Sequence, residues 1–167
     1  MSHSFFIRTA TRQDVEAISQ LLRTTWHHTY DAMWGPEQVE KVTRSWHSAQ
    51  ALMRNMNRPS GEFLVADNGE MIAGVAFAAA SEKESRAVIL YQLYVLPEFQ
   101  RCGIGADLLK EILDSFPEAS RIKCEVEQEN TAAMNFYQAH GFSLSLQEAA
   151  NKNSLEGGAP CWLERPL

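Results

Sequence analysis

The stretch LPEFQRCGIGADLLKEIL, Leu96 to Leu113, sets the end of a strand, two glycines within three positions and a run of helical spacing in direct succession. A strand that turns straight into a helix leaves the first helical N–H groups without partners inside the helix. Those donors and the helix dipole favour an anion, and glycine lets anionic oxygens approach the backbone. Gly103 and Gly105 are also accounted for by a tight turn and close helix packing alone, so both readings stand at this point. Two competing phosphate motifs are excluded. Gly103 to Leu108 lacks the third glycine of a dinucleotide fingerprint, and no Gly-Lys-Ser/Thr follows as a Walker loop requires.

Upstream, RAVILYQLYVL is apolar at both alternations except for Gln92, the pattern of a strand central to its sheet. Before it, EFLVADNGEMIAGVAFAAA carries two apolar runs joined by Asp67 to Glu70, and its Asn-Gly pair favours positive φ at both central turn positions. The chain begins with strand-like SFFIRTA, then a helix capped by Thr11 with Val15, Ile18, Leu21 and Leu22 on one face. HHTYDAMWGPE reads as an aromatic-rich connection, and Pro36 opens a second helix running to about Met56.

Downstream, Ile104, Leu108, Leu109, Ile112, Leu113 and Phe116 form an apolar helical stripe. RIKCEVEQEN then alternates Ile122, Cys124 and Val126 inward with Lys123, Glu125 and Glu127 outward. NTAAMNFYQAH is a helix with Asn130 as N-cap and Gly141 just beyond its end, followed by short strand GFSLSL, polar loop QEAANKNSLEGGAP and last strand CWLERPL. The order predicts a three-layer α/β plan around one mixed sheet, in a single domain over residues 1–167.

The 167 residues are 45% hydrophobic and 22% charged, as in an ordinary globular chain. A net charge of −6 without a basic run speaks against nucleic acid as a partner. No segment reaches membrane-spanning length, and Phe5 to Ile7 is too short for a signal-peptide core, so a cytoplasmic location without a membrane partner is expected. Cys102, Cys124 and Cys161 form no Cys-x-x-Cys pair, and only His27 and His28 are adjacent among the histidines, so no metal site is expected.

Two segments in order resemble the signatures of the GNAT superfamily of N-acetyltransferases. LYVLPEFQRCGIGADLL is similar to its acetyl-CoA loop, Gln/Arg-x-x-Gly-x-Gly/Ala, through Gln100, Gly103 and Gly105. VEQENTAAMNFYQAHGF resembles the later signature through Asn130, Ala133, Phe136, Tyr137, Gly141 and Phe142. The resemblance is strongest from about Ala87 to Phe142 and implies a three-layer α/β/α GNAT-like fold with a central mixed, mostly antiparallel sheet. It implies acetyl-CoA as acetyl donor, held by the backbone of Leu93, Tyr94 and Val95 and by the loop Gln100, Arg101, Cys102, Gly103, Ile104, Gly105 and Ala106. Asn130 would lie near the coenzyme, although capping a helix is a sufficient role for it. A homodimer follows from the resemblance alone.

The implied reaction is direct transfer to a primary amine. Tyr137 matches the family tyrosine beside the coenzyme sulfur, and a phenol of pKa about 10 remains protonated to serve a thiolate of about 8.5. An alkylamine of pKa about 10.4 is mostly charged at neutral pH, and freeing it costs roughly 4 to 5 kcal/mol. Some family members place a glutamate on the central strand for this, whereas here Gln92 is the only polar side chain there besides the tyrosines. Glu82, Glu84, Tyr30 or a water chain are alternatives, and no base is assigned. Trp26, His27, Tyr30 and Trp34 are candidate acceptor contacts, and aromatics there equally close a core. The expected acceptor is a small-molecule amine. Alternatives are a peptide or protein amine, or an acyl-CoA-binding sensor without turnover.

Overall fold

A computed structural model describes residues 4–145 and 160–167. Strand β1 (Phe6–Thr9) leads through a 3₁₀ turn at Arg12–Asp14 into helix α1 (Val15–Trp34), followed by α2 (Pro36–Trp46) and α3 (Ala49–Met56). Then come β2 (Gly61–Asp67), β3 (Ile72–Ala80), β4 (Ala87–Val95) and α4 (Ile104–Ser115). The chain closes with β5 (Arg121–Glu127), α5 (Thr131–Ala139), β6 (Ser143–Leu144) and β7 (Pro160–Pro166).

The strand order is β1-β2-β3-β4-β5-β7-β6, which puts the doubly apolar β4 in the middle of a seven-stranded sheet. The β4–β5 ladder is parallel, and those of β1–β2, β2–β3, β5–β7 and β6–β7 are antiparallel. This is the mixed α/β arrangement that the order of elements predicts. Two compact units divide the chain, Met1–Ala79 with Gln92–Pro117, and Ala80–Tyr91 with Glu118–Leu167.

In the first unit, α1 buries Ile18, Leu21 and Leu22 against Phe63, Val65, Val75 and Phe77 of β2 and β3. The apolar stripe of α4 is buried at Ile104, Leu108, Leu109 and Ile112. Each such aliphatic side chain contributes roughly 1.5–3 kcal/mol by leaving water. In the second unit, β5 buries Ile122, Cys124 and Val126, and β7 buries Cys161 and Leu163.

Several local expectations are corrected. The aromatic connection is helical: α1 runs on to Trp34, because Trp26, Tyr30 and Trp34 continue one face at four-residue spacing, and the helix stops only at Gly35, φ 81, before Pro36. The following helix is two, since Ser48 starts α3 by accepting the Ala51 N–H at 3.2 Å. Thr11 precedes the 3₁₀ turn rather than α1, its N–H donating to the Asp14 carboxylate at 2.7 Å. In the β2–β3 hairpin only Gly69 is left-handed, at φ 92. Asn68 instead lends its side-chain oxygen to the N–H groups of Glu70 and Met71. Lys123, expected outward, is 7% exposed. The polar loop expected at 147–160 lies outside the described residues up to 159.

Candidate active site

The last β4 residues feed the turn that opens α4. The β4–β5 ladder covers Ala87–Leu90 against Arg121–Cys124, and Gln92 to Val95 lie past its last pair. Leu96 N–H donates to Ala73 O at 2.8 Å, a 3₁₀ turn spans Pro97–Phe99, and the Gln100 side chain donates to Val95 O at 3.1 Å. Gln100 thereby ties the loop to its own strand.

Arg101 at φ 62 and Gly103 at φ 89 are left-handed on either side of Cys102. Alternating hand turns successive N–H groups toward one concavity, the geometry of an anion-binding nest. The first α4 bond is Asp107 N–H to Gly103 O at 3.0 Å, so the N–H groups of Ile104, Gly105 and Ala106 point out of the helix end. A side chain at Gly103 would meet nothing within 4 Å, so glycine serves the backbone conformation there and not space. Residues 101–103 are exposed. These donors fit a pyrophosphate, the chemistry expected of the loop.

Gly74, which the sequence reading passed over, sets how closely α4 lies on β3. A Cβ there would stand 3.0 Å from both Ile104 Cγ2 and Leu108 Cδ1 and 3.3 Å from Tyr94 O. A lone glycine inside an apolar strand is the available signal for such an approach.

The aromatic residues of α1 form a wall with Tyr94. The Trp26 ring centre is 4.8 Å from Tyr30, 6.0 Å from Trp34 and 6.3 Å from Tyr94, and Tyr30 stacks on Trp34 at 4.3 Å. Trp46 and His47 join it at 5.7 and 5.2 Å from Trp26. Neither was anticipated, although Val42 and Trp46 sit four apart on α2. Trp26 and Tyr30 are buried, and Trp34 and Trp46 remain exposed beside Gln38 and Val42 around an open cleft of about 450 Å³.

Burial, reinforced by neighbouring Tyr30, pushes the Tyr94 hydroxyl above the usual phenol range, so it stays neutral. The Trp26 N–H is directed at that hydroxyl but closes no hydrogen bond of ordinary geometry. Burial pushes His47 down to about 4. His27 stands apart from the wall. Its ring nitrogens bond Asp31 at 2.7 Å and Glu40 at 2.8 Å, and Glu40 foremost, then Asp31, holds its pKa above the ordinary value.

In the second unit, Asn130 caps α5 by accepting the Ala133 N–H at 3.2 Å. Tyr137 is buried, with ring centres of Phe136 and Phe142 at 5.3 and 5.1 Å. Glu84, one candidate base, is engaged by Arg121 at 2.7 Å and Lys123 at 3.1 Å. Lys123 foremost holds its carboxyl below the usual range. Lys123 also lies over the Trp162 ring at 5.4 Å, a partnership that accounts for its burial. Among the described residues no three His, Cys, Asp or Glu side chains could hold a metal, and no helix is long and apolar enough to cross a membrane. Cys102, Cys124 and Cys161 are free thiols.

Known proteins share this plan. The chain is 24% identical over 145 residues to the spermidine N(1)-acetyltransferase of Thermoplasma acidophilum, covering 84% of this chain and 89% of the relative. It is 28% identical over 141 residues to the peptidyl-lysine N-acetyltransferase YiaC of Escherichia coli, covering 83% of each. The crystal structure of PaiA N-acetyltransferase from Thermoplasma acidophilum in complex with coenzyme A superposes with a TM-score of 0.84 at 22% identity, over 98% of this chain and 99% of that one. Residues 16–142 match the acetyltransferase (GNAT) family throughout the span that holds the glycine turn and the aromatic wall. The chain belongs to that family and is an acetyl-CoA-dependent N-acetyltransferase.

Proposed function

We propose that the protein acetylates the primary amine of a small molecule by direct transfer from acetyl-CoA within one catalytic domain, residues 1–167. The observation that carries the reading is the left-handed pair Arg101 and Gly103 at the start of α4, immediately beyond the β4 residues. Bound acetyl-CoA supplies the thioester whose acetyl group is transferred. The backbone of Leu93, Tyr94 and Val95 binds its pantetheine arm as a neighbouring strand would, and the N–H groups of Arg101 to Ala106 take its pyrophosphate. Gln100 holds that loop on Val95, and a β4 N–H near Val95 polarises the carbonyl.

Tyr137 returns a proton to the leaving thiolate. Asn130 acts first as the α5 cap and thereby holds the helix that carries Tyr137. Trp26, Tyr30 and Trp34 line the acceptor side, with Trp26 and Tyr30 buried and Trp34 exposed, and this aromatic face supports a compact amine with an apolar body. His27 takes part through its hold on Asp31 and Glu40. The peptide reading keeps one observation in its favour, the likeness to a peptidyl-lysine acetyltransferase. A cytoplasmic homodimer without nucleic-acid or membrane partners completes the proposal, supported by the free thiols, the family resemblance and the net charge of −6.

The test is release of CoA thiol from acetyl-CoA with spermidine, 2-phenylethylamine, an L-amino acid amide and a lysine peptide. Faster release with a small amine than with the peptide is expected. Peptide-selective release would reassign the acceptor, and release with none would overturn both readings.

A further inference from the structure

One buried polar atom of β4 has no hydrogen-bond partner among the described residues. Gln92 precedes Tyr94 by two on β4, so strand alternation puts both side chains on one face. Tyr94 and Leu96 on that face pack against the cluster of Ile18, Leu22, Val75 and Phe77, and Tyr94 also packs against Trp26 and Tyr30. The Gln92 Oε1 atom is buried with no hydrogen-bond donor among the described residues. A buried carbonyl oxygen left unpaired lowers stability, and native chains keep few of them, a catalytic or binding role being one established reason.

We propose that Gln92 is the acceptor-positioning residue: its unpartnered carboxamide oxygen accepts a hydrogen bond from an N–H of the incoming amine. This rests on the reading that Leu93, Tyr94 and Val95 hold the acetyl donor, which makes Gln92 the side chain next along the strand. A primary amine has two N–H groups and a lone pair. With one N–H on Gln92, the lone pair is free to form the C–N bond as the C–S bond breaks. The second N–H proton leaves with the thiol, and the held N–H persists in the amide product. A secondary amine would give a product with no N–H for Gln92, so the class favoured is the primary amine.

Gln92→Met keeps length and removes the oxygen, and Gln92→Glu puts an oxygen back. In Gln92→Met, kcat/KM for the best small amine of the panel should fall at least about tenfold, the scale of one lost hydrogen bond, with the acetyl-CoA KM within about twofold. Gln92→Glu should recover to within about threefold of wild type, since an acceptor oxygen is again in place. Tm of Gln92→Met should be no lower than wild type, because no intramolecular bond is lost. An unchanged kcat/KM, or equal losses toward both substrates, would overturn the proposal. So would a lower Tm in Gln92→Met, which reads a partner within the chain and needs no acceptor. Absence of amine-dependent release in the wild type would instead count against the function proposed above, leaving the Tm comparison to judge Gln92.

Discussion

Mild acid should loosen the aromatic wall through His47. Its side chain lies 2% exposed in the crook between α2 and α3, shares a hydrogen bond with Thr43 Oγ1 and stands 5.2 Å from Trp26. Burial lowers its pKa from 6.5 to about 4. The unfolded chain binds the proton near 6.5 and the folded chain only near 4, so between these values the unfolded state holds the extra proton. Stability from this group is therefore intact above the unfolded value, declines as pH falls through the window, and declines no further below about 4. At about 1.4 kcal/mol per pH unit, the span from 6.5 to about 4 amounts to roughly 3 kcal/mol. That is a large part of the 5–15 kcal/mol, roughly, that holds a domain folded.

The assay is urea unfolding followed by tryptophan fluorescence from about pH 7 to about pH 4, wild type against His47→Gln, which keeps a polar group near Thr43 without titrating. The comparison cancels other titrations, including that of His27, whose raised pKa acts with the opposite sign and weakens stability as pH rises through it. The wild type should lose roughly 3 kcal/mol relative to the variant over that range. A difference constant within about 0.5 kcal/mol would falsify the argument, because it would mean the folded chain accepts the proton as readily as the unfolded one.

Gly74→Val should push α4 off β3, since even a Cβ meets Ile104 and Leu108 at 3.0 Å. The expected cost is about 1–3 kcal/mol in chemical unfolding. The displaced α4 start should raise the acetyl-CoA KM about tenfold, and an unchanged KM would separate the helix position from coenzyme binding. Tyr137→Phe keeps the ring between Phe136 and Phe142. It should lower kcat about 10²-fold without weakening acetyl-CoA binding, and full turnover would remove the tyrosine from the role of acid.

Much of this was legible in one dimension because it depends on local rules. The doubly apolar run Ala87–Val95 announces a central strand, Gly103 announces a left-handed turn before a helix, and Asn130 and Gly141 bracket α5. Each follows from alternation, helical period or backbone conformation over a few residues. The turn before α4, proposed to hold acetyl-CoA, could be read for the same reason, as its free donors are backbone groups whose direction follows from sequence-local geometry. The end of α1 was misplaced because aromatic residues weaken helix propensity while their burial against Val39, Val42 and Tyr94 extends the helix.

Only the tertiary structure decided what depends on neighbours far apart in the chain. It separated His27 from Trp26 by giving both imidazole nitrogens acidic partners, and brought Trp46 and His47 to the wall. It buried Lys123 by supplying Glu84 and Trp162, and showed that Gly74 is the seat of α4. Gln92 illustrates the difference most clearly. Its letter marks a polar position in an apolar strand, but that its oxygen lacks a partner among the described residues is a property of everything packed around it. Hydrogen-bond satisfaction, desolvation and steric fit are sums over spatial neighbours, and the order of residues along a chain does not contain those sums until it has folded.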